Sequence, residues 1–478
     1  MRRVILKEGE QFKSSQINRT GAFNAGAIAA ATSIIEEVRE RGDAALRDFT
    51  AKFDGVEVED FRVPQETIDA AAAQCDAKTV AALEHAAKQI REFHERQKQQ
   101  SWIATRENGA IVGAKVTPLE SVGIYVPGGR ALYPSTVLMN AIPASVAGVE
   151  RIACVTPPSK DGSLDSAILA ACKIAGVTEI YSVGGAQAVG ALAYGTETIE
   201  PVAKITGPGN AYVAAAKKIV SGDVGIDMIA GPSEVCVVAD ETADPALVAI
   251  DLMAQAEHDP LAACYLVTFS EEYADQIEAA IERHVKHSTR AEITMASLND
   301  HGLITICPDR KAAIQAVNVI APEHLELHVE NAMDLLGSIK NAGAIFLGEW
   351  TPEAVGDYVA GPNHTLPTGG TARYASPLSV EEFVKKSSII QYTPEALATD
   401  ADSVMTIARH EGLWAHALSA ALRRRVLEQG EGAVSAESLA AADLTKVAWP
   451  GDAVATVAEG VDLAAASADG AGATGEEA

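Results

Sequence analysis

The stretch AKITGPGNAYVAAAKKIV, residues 203–220, decides the expected fold. A short apolar run stops at Gly207-Pro208-Gly209-Asn210 and gives way to a helical pattern. The same order recurs upstream. SVGIYV (121–126) ends in Pro127-Gly128-Gly129, with a helix expected near Ser135; RIACV (151–155) leads to Thr156-Pro157-Pro158; EIYSV (179–183) ends in Gly184-Gly185 before AQAVGALAYG. Strands alternating with helices predict an α/β chain with a parallel sheet between helices. Ligands of such sheets bind beyond the carboxyl ends of the strands, where these loops lie. A glycine-led helix N-terminus offers free N–H groups and a positive dipole end, which suits a pyrophosphate. No loop spells GxGxxG, so tight turns alone also explain the glycines, and any dinucleotide should bind in a non-standard way.

A second set of strands is expected at EVCVVAD (234–240), AACYLVTF (262–269), LITICP (303–308) and GAIFLG (343–348), with helices between them. The first twenty residues read as an extended arm. Residues 23–53 are helical with a break at Gly42-Asp43, and one long helix is expected from Glu66 to about Lys98. Its apolar stripe holds Ile68, Ala72, Cys75, Ala82, Ala86 and Ile90. His85 and His94 sit among charges and read as solvated; so do His284 and His287, beside Glu282, Arg283 and Lys286. Near Ser379 a small helical unit begins, LSVEEFVKKSSIIQYTPEAL, followed by DSVMTIARHEGLWAHALSAALRRRV as one last helix.

A chain of 478 residues is too long for one simple core. Its 48% apolar and 22% charged residues are those of a soluble globular protein. No apolar run approaches a bilayer's thickness and MRRVILKEGEQ lacks a signal core, so the expected location is cytoplasmic. A formal charge of −27 argues against nucleic acid and anionic membranes as partners. Residues 431–478 hold nine acids and one lysine among small residues and are expected to be disordered. The six cysteines are scattered without a CxxC pair, as expected of buried free thiols in a reducing compartment.

Metal chemistry is suggested by DLMAQAEHDP (251–260). Asp244-Pro245 makes a helix start, and Gln255 and His258, three apart, share one face of the last turn. APEHLEL (321–327), VGDYVAGPNH (355–364) and HEGLWAHAL (410–418) add further histidines and carboxylates, the donors that zinc requires. Taken singly, each fragment also fits a cap or a surface position. Ser233, after Gly231-Pro232, fits a turn. Glu323-His324 fits the end of the helix IQAVNVIAPEH; adjacent residues on a regular strand would point oppositely, so a turn or helix end is expected for a working pair.

Together these four fragments, with AGPSEV (230–235), GPGNA (207–211) and VGGAQA (183–188), resemble histidinol dehydrogenase over roughly residues 20–425. The resemblance implies a zinc enzyme that oxidises L-histidinol to L-histidine in two NAD-dependent steps through an aldehyde. It implies zinc on Gln255, His258, Asp357 and His416, and Glu323 with His324 as the acid–base pair. Substrate contacts are implied for Ser233, Gln255, His258, His324, Asp357, His364, Glu411 and His416, and NAD contacts for Tyr125, Gln187 and Asn210. The implied fold is two incomplete Rossmann-like parallel-sheet domains with small helical terminal units, in an intertwined homodimer. Its limits would be an arm at 1–22, a first domain at 23–124 and 234–378, and an NAD-binding domain at 125–233. A helical domain at 379–429 would contribute to the partner's site, ahead of an acidic tail at 430–478. Three other readings stay open on the residues alone: a metal-dependent hydrolase, a silent metal- or nucleotide-binding protein, and oxidation through a cysteine thiohemiacetal near Cys154 or Cys236.

Overall fold

Residues Arg2–Ile5, within the expected arm, form a strand (β1) that pairs in parallel with residues 303–306. The computed structural model describes residues 1–19, 21, 25–128, 132–177 and 179–430. The acidic segment 431–478 lies outside the described residues. Contacts divide the chain into two units, Met1–Trp102 with Ala114–Ser387, and Ile103–Gly113 with the chain from Ser388.

In the first unit, α1 (Ala25–Arg41) and α2 (Asp43–Phe53) break at Gly42 as expected. The long helix expected after Glu66 is instead two, α3 (Gln65–Gln74) and α4 (Ala77–Glu95). Cys75 is extended, and the Asp76 carboxylate caps α4 by accepting from the Thr79 N–H at 3.0 Å. His94 is buried, not solvated: its Nδ1 lies 2.8 Å from the Ile90 carbonyl, and burial lowers its pKa. His85 is exposed, as expected.

The chain then lays down β2 (Trp102–Thr105), β3 (Ile111–Pro118) and β4 (Ser121–Tyr125). Helices and strands alternate from there: α5 (Pro134–Ala147), β5 (Arg151–Thr156), α6 (Ser166–Ala175), β6 (Glu179–Ser182) and α7 (Gly185–Tyr194). The run closes with β7 (Lys204–Thr206), α8 (Ala211–Val220) and β8 (Gly225–Ile226). Five of these strands form a parallel sheet ordered β6-β5-β4-β7-β8. Alternate residues face opposite layers: Ala153 and Val155 pack with α1, α2, α7 and α8, Cys154 with α3 to α6. Residues 25–95, which the resemblance would join to 234–378, thus bury their apolar faces on the sheet of 121–226.

The second sheet takes β9 (Glu234–Ala239), β10 (Ala263–Thr268), β11 (Leu303–Ile306), β12 (His324–His328) and β13 (Ala344–Leu347), in the order β1-β11-β10-β9-β12-β13. Helices α9 (Pro245–Ala256), α10 (Glu271–His284) and α11 (Ala291–Asp300) cover one face with Val235 and Val237; α12 (Arg310–Ile320) covers the other with Cys236 and Val238. Every residue of β12 is buried. A short helix, α13 (Glu353–Tyr358), follows β13.

After Ser379 the expected helical start is a 3-10 turn at Val380–Phe383 and then a strand, β14 (Val384–Gln391), in a three-stranded sheet ordered β14-β3-β2. The second unit contains α14 (Pro394–His410) and α15 (Trp414–Gln429). These replace the single last helix because Gly412, with φ +74°, adopts the left-handed conformation that ends α14. Among the described residues no helix is long and apolar enough to cross a membrane.

Candidate active site

Helix α12 stops where Ala321 turns left-handed at φ 48° and Pro322 follows. Glu323 therefore sits on a bend and His324 opens β12, at the junction of turn and strand rather than on a helix end. This junction lets two adjacent side chains serve one neighbour. Glu323 Oε2 accepts from the Glu234 N–H at 2.8 Å, and His324 Nδ1 lies 3.2 Å from the Glu234 carbonyl. An Nδ1–H donated to that carbonyl leaves Nε2 as the basic nitrogen, 3.6 Å from Asp357 Oδ1. Nε2 is buried and has no hydrogen-bond partner.

Burial pushes the Glu323 carboxyl up to about 7. Burial opposes a charge on His324, but Glu353, Glu323 and Asp357 outweigh it and raise the imidazole well above its usual value. For Asp357, burial opposes a charge, but the nearby His324 imidazole outweighs it and holds the carboxyl below the usual range.

The donor groups gather at the amino ends of β9 and β12, opposite to the carboxyl-end rule. Helix α9 leaves the carboxyl end of β9 and runs back, so its last turn delivers Gln255 to the other edge of the sheet. His258 lies in the turn just past the helix, its N–H on the Gln255 carbonyl at 3.2 Å. Donor atoms of His258, Glu353 and Asp357 all lie within 4.8 Å of one another. With its nitrogen facing the Glu353 carboxylate, the Gln255 amide stands 3.1 Å from both carboxylate oxygens and from His324 Nδ1. That orientation leaves the amide oxygen as the atom free to ligate a cation. An imidazole, a carboxylate and an amide oxygen fit a divalent ion such as zinc.

Glu353 is absent from the sequence expectations, although it lies four residues before Asp357 on one face of α13. Burial raises its carboxyl well above the usual value. His364 is half-buried, with Nδ1 3.0 Å from the Asp357 carbonyl and Nε2 3.4 Å from Thr136 Oγ1 on α5. That contact joins the donor cluster to the carboxyl end of the first sheet. Ser233 directly precedes β9, and its carbonyl accepts from the Ala263 N–H at 3.0 Å. Glu411 and His416 belong to the second unit, Glu411 at the end of α14 and His416 in the first turn of α15. His416 lines a groove of about 900 Å³ with Leu397, Val404 and Ala420.

The first sheet reverses strand order between β4 and β7, the place where open α/β sheets leave a crevice. Tyr125, at the end of β4, accepts from the Gly185 N–H at 3.0 Å, which ties this edge to the start of α7. Gln187 is buried with Oε1 unpartnered. Asn210 caps α8, its Oδ1 accepting from the N–H groups of Tyr212 (3.0 Å) and Val213 (3.1 Å), so its NH2 remains for another acceptor. Gly207 passes so close to Tyr125 that a Cβ would stand 2.2 Å from its carbonyl oxygen. Two buried groups clamp this glycine: Lys217 Nζ donates to its carbonyl at 2.9 Å, and Asp227 Oδ2 accepts from its N–H at 2.8 Å. Lys217 and Asp227 also pair with each other. Neither was legible as part of the loop, since they lie 10 and 20 residues beyond it.

The histidinol dehydrogenase family profile matches residues 18–424. A histidinol dehydrogenase of Bacillus subtilis is 54% identical over 393 residues, covering 82% of this chain and 92% of that protein. One from Clostridium acetobutylicum is 51% identical over 416 residues, covering 87% and 96%. The crystal structure of histidinol dehydrogenase from Elizabethkingia anophelis superposes with a TM-score of 0.86 at 36% identity, covering 90% of this chain and 99% of that one.

Proposed function

The chain belongs to the histidinol dehydrogenase family, enzymes of histidine biosynthesis, and on that premise we propose how its own residues work. The substrate is L-histidinol, carried to L-histidine through the aldehyde by two NAD molecules. His324 Nε2, in its deprotonated form, would take the hydroxyl proton of the substrate, and NAD, when bound, would supply the hydride acceptor. In the second half, Glu323 takes a proton from the water that attacks the aldehyde carbonyl. The observation that carries this reading is the shared hold of Glu323 and His324 on the Glu234 backbone, which fixes a carboxyl near 7 and an imidazole side by side. Both are buried, so each proton passes to a positioned group and not to bulk solvent.

Gln255, His258 and Asp357, with His416 of the partner subunit, would hold one zinc ion. When bound, zinc supplies a Lewis-acidic centre that orients the substrate through its imidazole and amine. Ser233, His364 and the partner subunit's Glu411 would complete the substrate contacts in a homodimer, Glu411 facing the ammonium group. Tyr125, Gln187 and Asn210 would meet NAD at the β4–β7 crevice. The six free cysteines suit a cytoplasmic enzyme. Burial raises the thiols of Cys236, Cys264 and Cys307, and the neighbouring Cys154 together with burial raises that of Cys172, which disfavours a thiolate nucleophile at those positions.

NADH formation from L-histidinol, with histidine counted, tests the assignment. About two NADH per histidine are expected, lost on chelation and restored by zinc. Zinc-loaded protein that binds NAD but makes no NADH from histidinol would rule out the substrate. A separate measurement probes the glycine loop. Lys217→Met strands Asp227 and frees the Gly207 carbonyl, and is expected to raise the KM for NAD about tenfold, near 1.4 kcal/mol. An unchanged KM would detach this loop from the cofactor.

A further inference from the structure

Behind the site just described lies a second group of donors. Glu326 and His328 alternate with leucines on β12, so both point to one face of the sheet, where Asp251 of α9 meets them. Their donor atoms all lie within 4.8 Å of one another, and all three residues are buried. His328 Nε2 stands 3.3 Å from Glu326 Oε2 and 3.7 Å from Asp251 Oδ2. The imidazole is fully enclosed, and neither of its nitrogens has a hydrogen-bond partner; Glu326 Oε2 has none either. Buried polar atoms are nearly always satisfied, so His328 Nε2 and Glu326 Oε2, both orphaned and facing each other beside Asp251, call for something between them. Among the described residues neither carboxylate is paired with a lysine or arginine.

We propose that Asp251, Glu326 and His328 form a second divalent-cation site, distinct from the one at Gln255, His258 and Asp357. The spacings support it. Ligands about 2.1 Å from a tetrahedral ion stand roughly 3.4 Å apart, close to the separations seen and longer than a good imidazole–carboxylate hydrogen bond. Glu326 is already aimed, because its Oε1 accepts from the Glu353 N–H at 2.7 Å and turns Oε2 toward His328. The Asp251 side chain retains 9% exposure against 0% for Glu326 and His328, so a cation and a fourth, water ligand would reach the cluster on the Asp251 side. One imidazole nitrogen and two carboxylate oxygens suit a transition cation such as zinc. The same Glu326–Glu353 bond ties this site to α13, which carries Glu353 and Asp357, so filling it would brace the helix that supports the first site.

The test is zinc stoichiometry. Full-length protein is stripped with chelator, reloaded with excess zinc, freed of unbound metal by gel filtration and assayed for zinc per chain. Two equivalents are expected for the unaltered protein, one for His328→Gln and one for His258→Ala. One equivalent that is lost in His258→Ala and kept in His328→Gln would overturn the second site and leave the proposed function standing. One equivalent kept in His258→Ala and lost in His328→Gln would support the second site and overturn the first. Should His328→Gln fail to fold, Glu326→Gln with an unaltered circular dichroism spectrum gives the same comparison, and one equivalent held there against two in the unaltered protein supports the site.

Discussion

Replacing His324 by asparagine is expected to slow oxidation of the alcohol about 10²–10⁴-fold, the usual worth of a positioned general base. The Asn side chain can still donate to the Glu234 carbonyl, but it has no basic nitrogen facing Asp357. Glu323→Gln should instead bear on the aldehyde half, where water must lose a proton as it attacks. Single-turnover NADH formation, started from L-histidinol in one series and from L-histidinal in the other, separates the two halves. A carboxyl raised to about 7 is protonated below that pH and is a base only above it. Aldehyde oxidation should therefore rise with pH through about 7, and the Gln variant should lose that rise along with the rate. Equal slowing of both halves by both variants would deny the division of labour and make the pair a single unit.

Arg19→Ala is expected to cost about 3–5 kcal/mol of stability, far more than a surface pair, because it leaves a charge buried without a partner. Arg19 donates from Nε to Glu234 Oε1 at 2.6 Å and from Nη2 to Oε2 at 3.0 Å, and it also reaches the Ile320 carbonyl. Glu234 is 2% exposed, and its backbone is what Glu323 and His324 grip. Burial raises the Glu234 carboxyl even with Arg19 present. Without the guanidinium it should rise further above the unfolded value near 4.3. The deficit against the unaltered protein then grows as pH climbs through the carboxyl's value with Arg19 present, itself above the unfolded one, and fades below it. Urea denaturation at two pH values measures this. Adding Glu234→Gln should recover part of the loss, whereas a deficit under about 1 kcal/mol would mean that the pair behaves as if solvated.

Local signals determined much of the architecture. Strands β4, β5, β6, β7, β9, β10, β11 and β13 fall in apolar runs bounded by glycine, proline or a helix, because a strand covered on both faces needs apolar residues throughout. The helix starts at Asp244-Pro245 and Asn210 were equally plain, since a cap is built within four residues. HLELH was harder. Its alternation of polar and apolar residues reads as a half-solvated element, yet β12 lies wholly inside. Its polar residues are buried because they meet Glu234, Asp251 and Glu353, which no local pattern reveals. The break at Gly412 was present in the sequence, but a helical period continued across it. Gln255, His258 and Asp357 could be named from the fragments that resemble the family. Only the return of α9 along the sheet, and the placement of α13 over its amino edge, decided that they meet. Glu353, Arg19 and Lys217 came from tertiary structure alone. A buried charge is explained by its partner, and theirs lie 98, 215 and 10 residues away.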